Sequence, residues 1–153
     1  MSSEKRAEVV VALQAASRIS VAQTVRFQAA VAARLDINPT DLNCLNLLQL
    51  HGPLTAGQLA EHAGLTKGGA ITAALDRLER AELVARERDA GDRRRIVVRV
   101  RPETVERIAP MMPGEDWEAL YARYSQNELA LVLDFTERST ALLQRLIEQL
   151  VQD

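Results

Sequence analysis

No glycine or proline occurs before Pro39, and none follows Ser125. Proline removes a helix donor and clashes with the preceding turn, and glycine is the next poorest helix former. Their absence from both ends, in stretches rich in Ala, Val, Leu, Gln and Arg, predicts one long helix over residues 6–34. By the same reasoning a last helix of about 27 residues follows Ser125, with an apolar stripe at Leu129, Val132, Leu142, Leu146 and Leu150. The first helix carries Val9, Leu13, Ala16, Val25 and Ala29 on its main apolar side and Val10, Val21 and Phe27 on others. A helix that is apolar on several faces needs several partners or a partner subunit. A chain of 153 residues is too small to cover both terminal helices, so a homodimer through them is expected.

Between the long helices the breakers divide the chain into short elements. Asn38 is placed to cap a helix with Pro39 at its first position, where the missing N–H costs nothing, and Ile37 and Leu42 have staple spacing. That helix ends near His51-Gly52-Pro53. Thr55 and Gln58 have capping-box spacing and open a second helix, which Gly64 keeps short. Thr66 offers the N-cap of a third helix, running to about Ala81, whose buried stripe is Ile71, Leu75 and Leu78 at i, i+4, i+7. Two short helices joined by a Gly-containing turn form the helix-turn-helix pattern.

The segments 83–88 and 95–100 suit strands, and Asp89-Ala90-Gly91-Asp92 between them carries turn residues. They predict a β-hairpin wing with its tip at residues 89–94. Pro102 starts another helix. Pro110 and Pro113 break it, and it resumes at Gly114 and runs to Tyr124. Ser125 and Glu128 form the capping box of the last helix. The expected fold is mostly α with a small β-hairpin wing: a winged helix-turn-helix plus a helical dimerisation region. Residues 1–153 form a single domain, with the winged lobe over about 36–101 and the helical dimerisation lobe from 1–35 and 102–153.

Charge points to the partner. Residues 66–101 hold ten basic side chains against six acidic ones, a local balance of +4; with a net charge of −2 for the chain, the rest carries −6. A basic docking surface on an acidic body fits an anionic macromolecule, and double-stranded DNA is the expected partner. Aromatic residues are only 3%, too few for a single-strand stacking platform. The lone Cys44 excludes an internal disulfide and a cysteine zinc cluster, which agrees with a reducing cytoplasm. The N-terminus lacks the pattern of a signal peptide, and no apolar run is long enough for a membrane span. No nucleophile–base pair and no metal-ligand spacing stands out, so neither catalysis, a cofactor nor a metal is expected.

The start of the third short helix is where base edges are read from the major groove. Lys67 there reaches a guanine edge or a phosphate. Gly68 and Gly69 either let the backbone approach DNA or mark a frayed helix start. Thr72 and Arg77 point away from the buried stripe toward phosphates, although Arg77 has a surface ion pair with Asp76 or Glu79 as its alternative. Asp92-Arg93-Arg94-Arg95 puts three guanidiniums at the wing tip, for a narrow minor groove or as a solvated edge. Asp92 and Arg94 share one strand face, so their side chains can hydrogen-bond. His51 and His62 lie at two different helix ends and read as surface residues. Cys44 reads as a small buried apolar residue. Met111, Met112, Trp117 and Tyr121 either line a ligand pocket or are plain core.

Together, Leu59-Ala60, Gly64-Leu65-Thr66, Ala70-Ile71-Thr72, Leu75-Asp76-Arg77-Leu78-Glu79-Arg80, Leu83-Val84, Arg88-Asp89 and Asp92-Arg93-Arg94-Arg95 resemble the MarR family of transcriptional regulators. The order of elements is similar over nearly the whole chain. The resemblance implies a homodimeric repressor that reads a pseudo-palindrome with half-sites about one helical turn apart. It also implies release by a small, often phenolic, effector that favours the non-DNA geometry. DNA contacts are implied at Thr66, Lys67, Gly68, Gly69, Thr72, Arg77, Arg88, Asp92, Arg93, Arg94 and Arg95, with Arg94 in the minor groove and Asp92 holding it. Glu82 stands where the family usually places a glycine, which puts a non-glycine residue in a left-handed cap. The rival reading, a winged-helix protein-interaction module, predicts no salt-dependent affinity for DNA.

Overall fold

The computed structural model describes residues 3–65, 68–112 and 114–152. Its elements are α1 (Ser3–Arg34), α2 (Pro39–His51), α3 (Ala56–Ala63), α4 (Gly69–Arg80), β1 (Val84–Arg88), β2 (Ile96–Val100), α5 (Pro102–Ile108), a 3-10 turn (Ala109–Met111), α6 (Gly114–Tyr121) and α7 (Gln126–Gln152). The chain divides into two compact units, Met1–Met111 and Met112–Asp153.

In the first unit, α2, α3, α4 and the hairpin enclose one core. The stripe of α4 is buried as its spacing requires, with Ile71, Leu75 and Leu78 packed among Leu42, Leu45, Leu59, Leu83 and Val98. The C-terminal end of α1 closes this core with Val31, Ala32 and Leu35, while Val9, Leu13, Val21, Val25 and Phe27 further up the helix are exposed. β1 and β2 pair antiparallel from Val84↔Val100 to Arg88↔Ile96. A one-residue bridge, Leu54↔Val98, extends the sheet on the other side of β2; a single bridging residue has no periodicity by which to announce itself. Thr104, fully buried at the start of α5, donates its hydroxyl to the Leu83 carbonyl at 2.8 Å. Cys44 is also fully buried.

The caps follow their local spacing. Thr55 and Gln58 close a reciprocal box on α3, and Gly64 ends that helix in the left-handed region at φ 64°. Asn38 caps α2, with Asp41 completing a second box. The recognition helix differs from expectation. It begins at Gly69, with Gly68 in the N-cap position at φ 125° and no side-chain cap. That backbone angle is open to glycine and cannot belong to a helix, so the helix does not start directly after Thr66, which lies outside the described residues along with Lys67. Glu82 does take the left-handed cap, at φ 58°, and the Leu83 N–H reaches back to the Leu78 carbonyl at 3.0 Å.

His51 and His62 are exposed, but they are not independent: their rings stack at 4.4 Å, which brings the ends of α2 and α3 together.

In the second unit, α6 ends at Tyr121, three residues before the expected Tyr124, and a turn leads into α7. Ser125 and Glu128 form the expected box: the Ser125 N–H donates to Glu128 at 2.8 Å, and the Ser125 hydroxyl does so at 2.7 Å. These hydrogen bonds, led by the one from the Ser125 hydroxyl, hold the Glu128 carboxyl below its usual range. Trp117 and Tyr121 stack at 5.8 Å and are half exposed. Along α7, Leu131, Val132, Phe135, Leu143, Ile147 and Leu150 are all exposed. Among the described residues no helix is long and apolar enough to cross a membrane.

Candidate nucleic-acid interface

The basic segment 66–101 separates into paired and unpaired cations. Arg77 donates its Nε and Nη2 to Asp41 of α2 at 2.8 and 2.7 Å. Asp41 is fully buried, and its Oδ2 also accepts the Asn38 N–H at 3.3 Å. The partner of Arg77 is therefore neither Asp76 nor Glu79. Those two carboxylates are both taken by Arg86 of β1, which meets Asp76 at 2.9 Å and Glu79 at its other terminal nitrogen. The expectation that Arg77 points freely at phosphates is corrected: its fork is turned onto α2. The hydrogen bond to Asp41 raises its guanidinium further above an already high pKa. Arg99 pairs with Glu87 along the hairpin at 3.3 Å.

Among the described residues the unpaired arginines of this segment are Arg80 at the end of α4, Arg101 just after β2, and three around the wing tip. Among the described residues, the guanidiniums of Arg88, Arg93 and Arg94 have no acidic or hydrogen-bonding partner, and all three residues are exposed. Arg95 reaches Gln58 of α3 at 3.4 Å, which ties the base of the tip to the capping box that opens that helix. The tip is a folded turn. The Asp89 N–H donates to the Arg95 carbonyl at 3.0 Å, the Arg95 N–H to the Asp92 carbonyl at 2.9 Å and the Gly91 N–H to the Asp89 carboxylate at 2.9 Å. Asp92 does hold Arg94, but by its backbone. Its Oδ1 accepts the Arg94 N–H at 3.0 Å, and no bond joins the two side chains. An aspartate two residues ahead of an N–H closes an Asx turn, a shorter path than reaching a long guanidinium.

At the head of α4, Gly68, Gly69, Ala70 and Thr72 are all exposed. A Cβ built on Gly68 or Gly69 meets nothing within 4 Å. Gly68 needs its positive φ, whereas Gly69 has no internal reason to be glycine.

A cleft of about 400 Å³ lies elsewhere in the first unit, bordered by Leu48, Gln49, Gly52, Pro53, Arg99, Val100 and Val105. None of Met111, Met112, Trp117 and Tyr121 lines it. Sequence reasoning missed Asp41 as the anchor of Arg77. Nothing local announces a partner 36 residues away.

The comparisons with known proteins agree with this geometry. The MarR family model matches residues 35–95. The chain is 36% identical over 132 residues, 85% of each protein, to an uncharacterized HTH-type transcriptional regulator, YcgE, of Bacillus subtilis (strain 168). Among solved structures it is similar to a MarR family protein from Bacillus stearothermophilus (TM-score 0.66, 22% identity, 90% of this chain and 96% of that one). It also resembles a mutant MepR from a multidrug-resistant S. aureus clinical isolate (TM-score 0.68, 21% identity, 85% and 96%). Another S. aureus MepR mutant, bound to an oligodeoxyribonucleotide, matches with a TM-score of 0.56 at 21% identity, over 85% of this chain and 97% of that one. A shared core order, a wing with an Asp-x-Arg tip and a relative this similar over most of both chains place the protein in the MarR family of transcriptional regulators.

Proposed function

We propose that the protein is a homodimeric repressor that binds double-stranded DNA in the cytoplasm and is released by a small hydrophobic effector. The observation that carries the DNA reading is the unpaired state of Arg88, Arg93 and Arg94 around the wing tip, in a chain whose recognition-helix start at Gly68 and Gly69 is open. Arg77, Arg86 and Arg99 are matched to carboxylates, whereas three arginines without such a partner gather around the hydrogen-bonded turn of the wing tip. Arg94 enters the minor groove, Arg88 and Arg93 meet phosphates, and Gly69 and Thr72 face the major groove. Thr66 and Lys67, which lie outside the described residues, are DNA contacts proposed from the sequence alone. Asp92 shapes the turn, Arg95 fixes its base, and Arg77 acts from behind. The exposed apolar residues of α1 and of α7 support self-association, because a monomer in water rarely leaves so many large apolar side chains open.

The test is fluorescence anisotropy with a labelled duplex spanning the intergenic DNA beside the protein's own coding sequence, against a scrambled duplex, at several salt concentrations. The reading predicts discrimination between the two and an affinity that falls steeply with salt. Equal, weak binding to both at every salt concentration contradicts it and favours a protein-interaction module.

A further inference from the structure

We infer that Asp41 and Arg77 form a positioning clamp that sets the angle at which the recognition helix meets DNA, so that Arg77 governs sequence discrimination without touching the nucleic acid. The inference rests on the DNA-binding reading above.

The core face of α4 is purely aliphatic: Ile71, Ala74, Leu75 and Leu78. Aliphatic contacts are individually non-directional, so they resist small changes of roll or tilt less sharply than hydrogen bonds do. The polar contacts of α4 lie in a short stretch of its C-terminal half. Arg77 grips Asp41 through two parallel hydrogen bonds, 2.8 and 2.7 Å, a planar fork that fixes orientation as well as distance. From the other side, Arg86 of β1 holds Asp76 and Glu79. The N-terminal half, which the DNA reading places in the groove, makes no side-chain hydrogen bond among the described residues.

Asp41 is itself anchored in α2. It is fully buried at the third position of α2 and accepts the Asn38 N–H as half of a capping box. The clamp therefore joins the first turn of α2 to α4. Gly69 lies eight residues before Arg77, about 12 Å along the helix axis. A tilt of about 10° at the clamp would displace the reading end by about 2 Å, well beyond the roughly 0.5 Å tolerance of a working polar site. A buried carboxylate facing a half-exposed arginine is a poor way to gain stability, since a well-packed apolar pair commonly serves as well. A hydrogen-bonded fork fixes orientation more sharply than an apolar pair does.

Two variants of the full-length protein separate the possibilities: Arg77→Lys, which keeps the charge and loses the fork, and the double variant Asp41→Leu/Arg77→Met, which replaces the pair by apolar residues. Each is titrated against cognate and scrambled duplexes at several salt concentrations, and amide hydrogen exchange along α4 is measured without DNA. The clamp predicts that both variants lose at least tenfold in the ratio of cognate to scrambled affinity while their salt slopes stay at the wild-type value. It also predicts faster exchange in α4 in the double variant, even where its thermal midpoint equals that of wild type. Intact discrimination in a folded double variant overturns the inference, and so does a salt slope reduced by about one, which makes Arg77 a phosphate contact. Should the wild-type protein itself fail to discriminate, the DNA reading falls; the exchange arm still decides the clamp, because unchanged α4 protection in the double variant overturns it.

Discussion

The carboxylate of Asp92 accepts the backbone N–H of Arg94 at 3.0 Å, so the wing tip is held by its main chain and the Arg94 guanidinium is left unbonded. An Asx turn of this kind fixes where the side chain starts and leaves its far end available to a groove. Removing Asp92 therefore has two opposing effects: the turn loosens, and a negative charge near the phosphates disappears.

The two effects come apart in a pair of substitutions. Asp92→Ala should weaken DNA binding by about 0.5–1.5 kcal/mol, the worth of one hydrogen bond that shapes the tip. Asp92→Asn keeps an acceptor oxygen and removes the charge, so it should bind at least as tightly as wild type. Anisotropy titrations at one salt concentration check both. Tighter binding by Asp92→Ala would show that charge, and not turn geometry, is what Asp92 contributes.

Arg94→Ala should cost roughly 1–3 kcal/mol and relax preference for an A·T-rich flank, because narrow A-tract grooves attract arginine. Arg88→Ala should lower the salt slope by about one with little change in preference. Arg99, already paired with Glu87, is the internal control; its replacement by alanine should change affinity by less than about 0.5 kcal/mol. A slope of log affinity against log salt for each variant separates the three.

Gly69→Ala should make the protein slightly more stable and bind DNA worse. Alanine is the better helix residue by up to about 1 kcal/mol in a helix interior and less in a first turn, and the added methyl meets nothing within the molecule. On the proposed DNA reading the same methyl would stand between the helix backbone and DNA. Denaturant unfolding and DNA titration of the one variant check both signs, and unchanged affinity would remove Gly69 from the interface.

What can be read from the sequence, and what cannot, follows from the range of each interaction. Thr55 with Gln58 and Ser125 with Glu128 are legible because each capping interaction spans three residues and spacing encodes it, and Asn38 is legible because Pro39 marks the first position of the helix it caps. The stripe Ile71, Leu75 and Leu78 is legible because burial follows helical period. The pairing of Arg77 with Asp41 is not, since any nearby acid competes equally on paper and only the packing of α4 on α2 decides among them. The same holds for the stack of His51 on His62. The start of α4 falls later than the capping chemistry of Thr66 suggests, because the backbone at Gly68 ends the turn two residues further on.

Cys44 should behave as a structural thiol. Burial, with the negative charge of Asp41 adding to it, pushes its pKa from 9.0 up to about 11. A thiol raised in this way favours the folded state while both states keep the proton. That contribution is complete below about pH 9 and is lost as pH rises toward 11, because the unfolded thiol ionises first. Unfolding free energy should therefore decline over that interval, and more steeply in wild type than in Cys44→Ala. A thiol reagent at neutral pH should label Cys44 only after denaturation; rapid labelling of the native protein would mark the cysteine as reactive.

The central claim is that two winged heads on one dimer read DNA by sequence, and selection from a pool of random duplexes tests it most directly. The full-length protein is cycled against the pool at moderate salt, in parallel with Arg94→Ala. The account predicts enrichment of an inverted repeat with half-site centres about one helical turn apart and A·T-rich flanks, with the flank preference lost in Arg94→Ala. A pool that stays random, or a single unrepeated site enriched equally by both proteins, would contradict it.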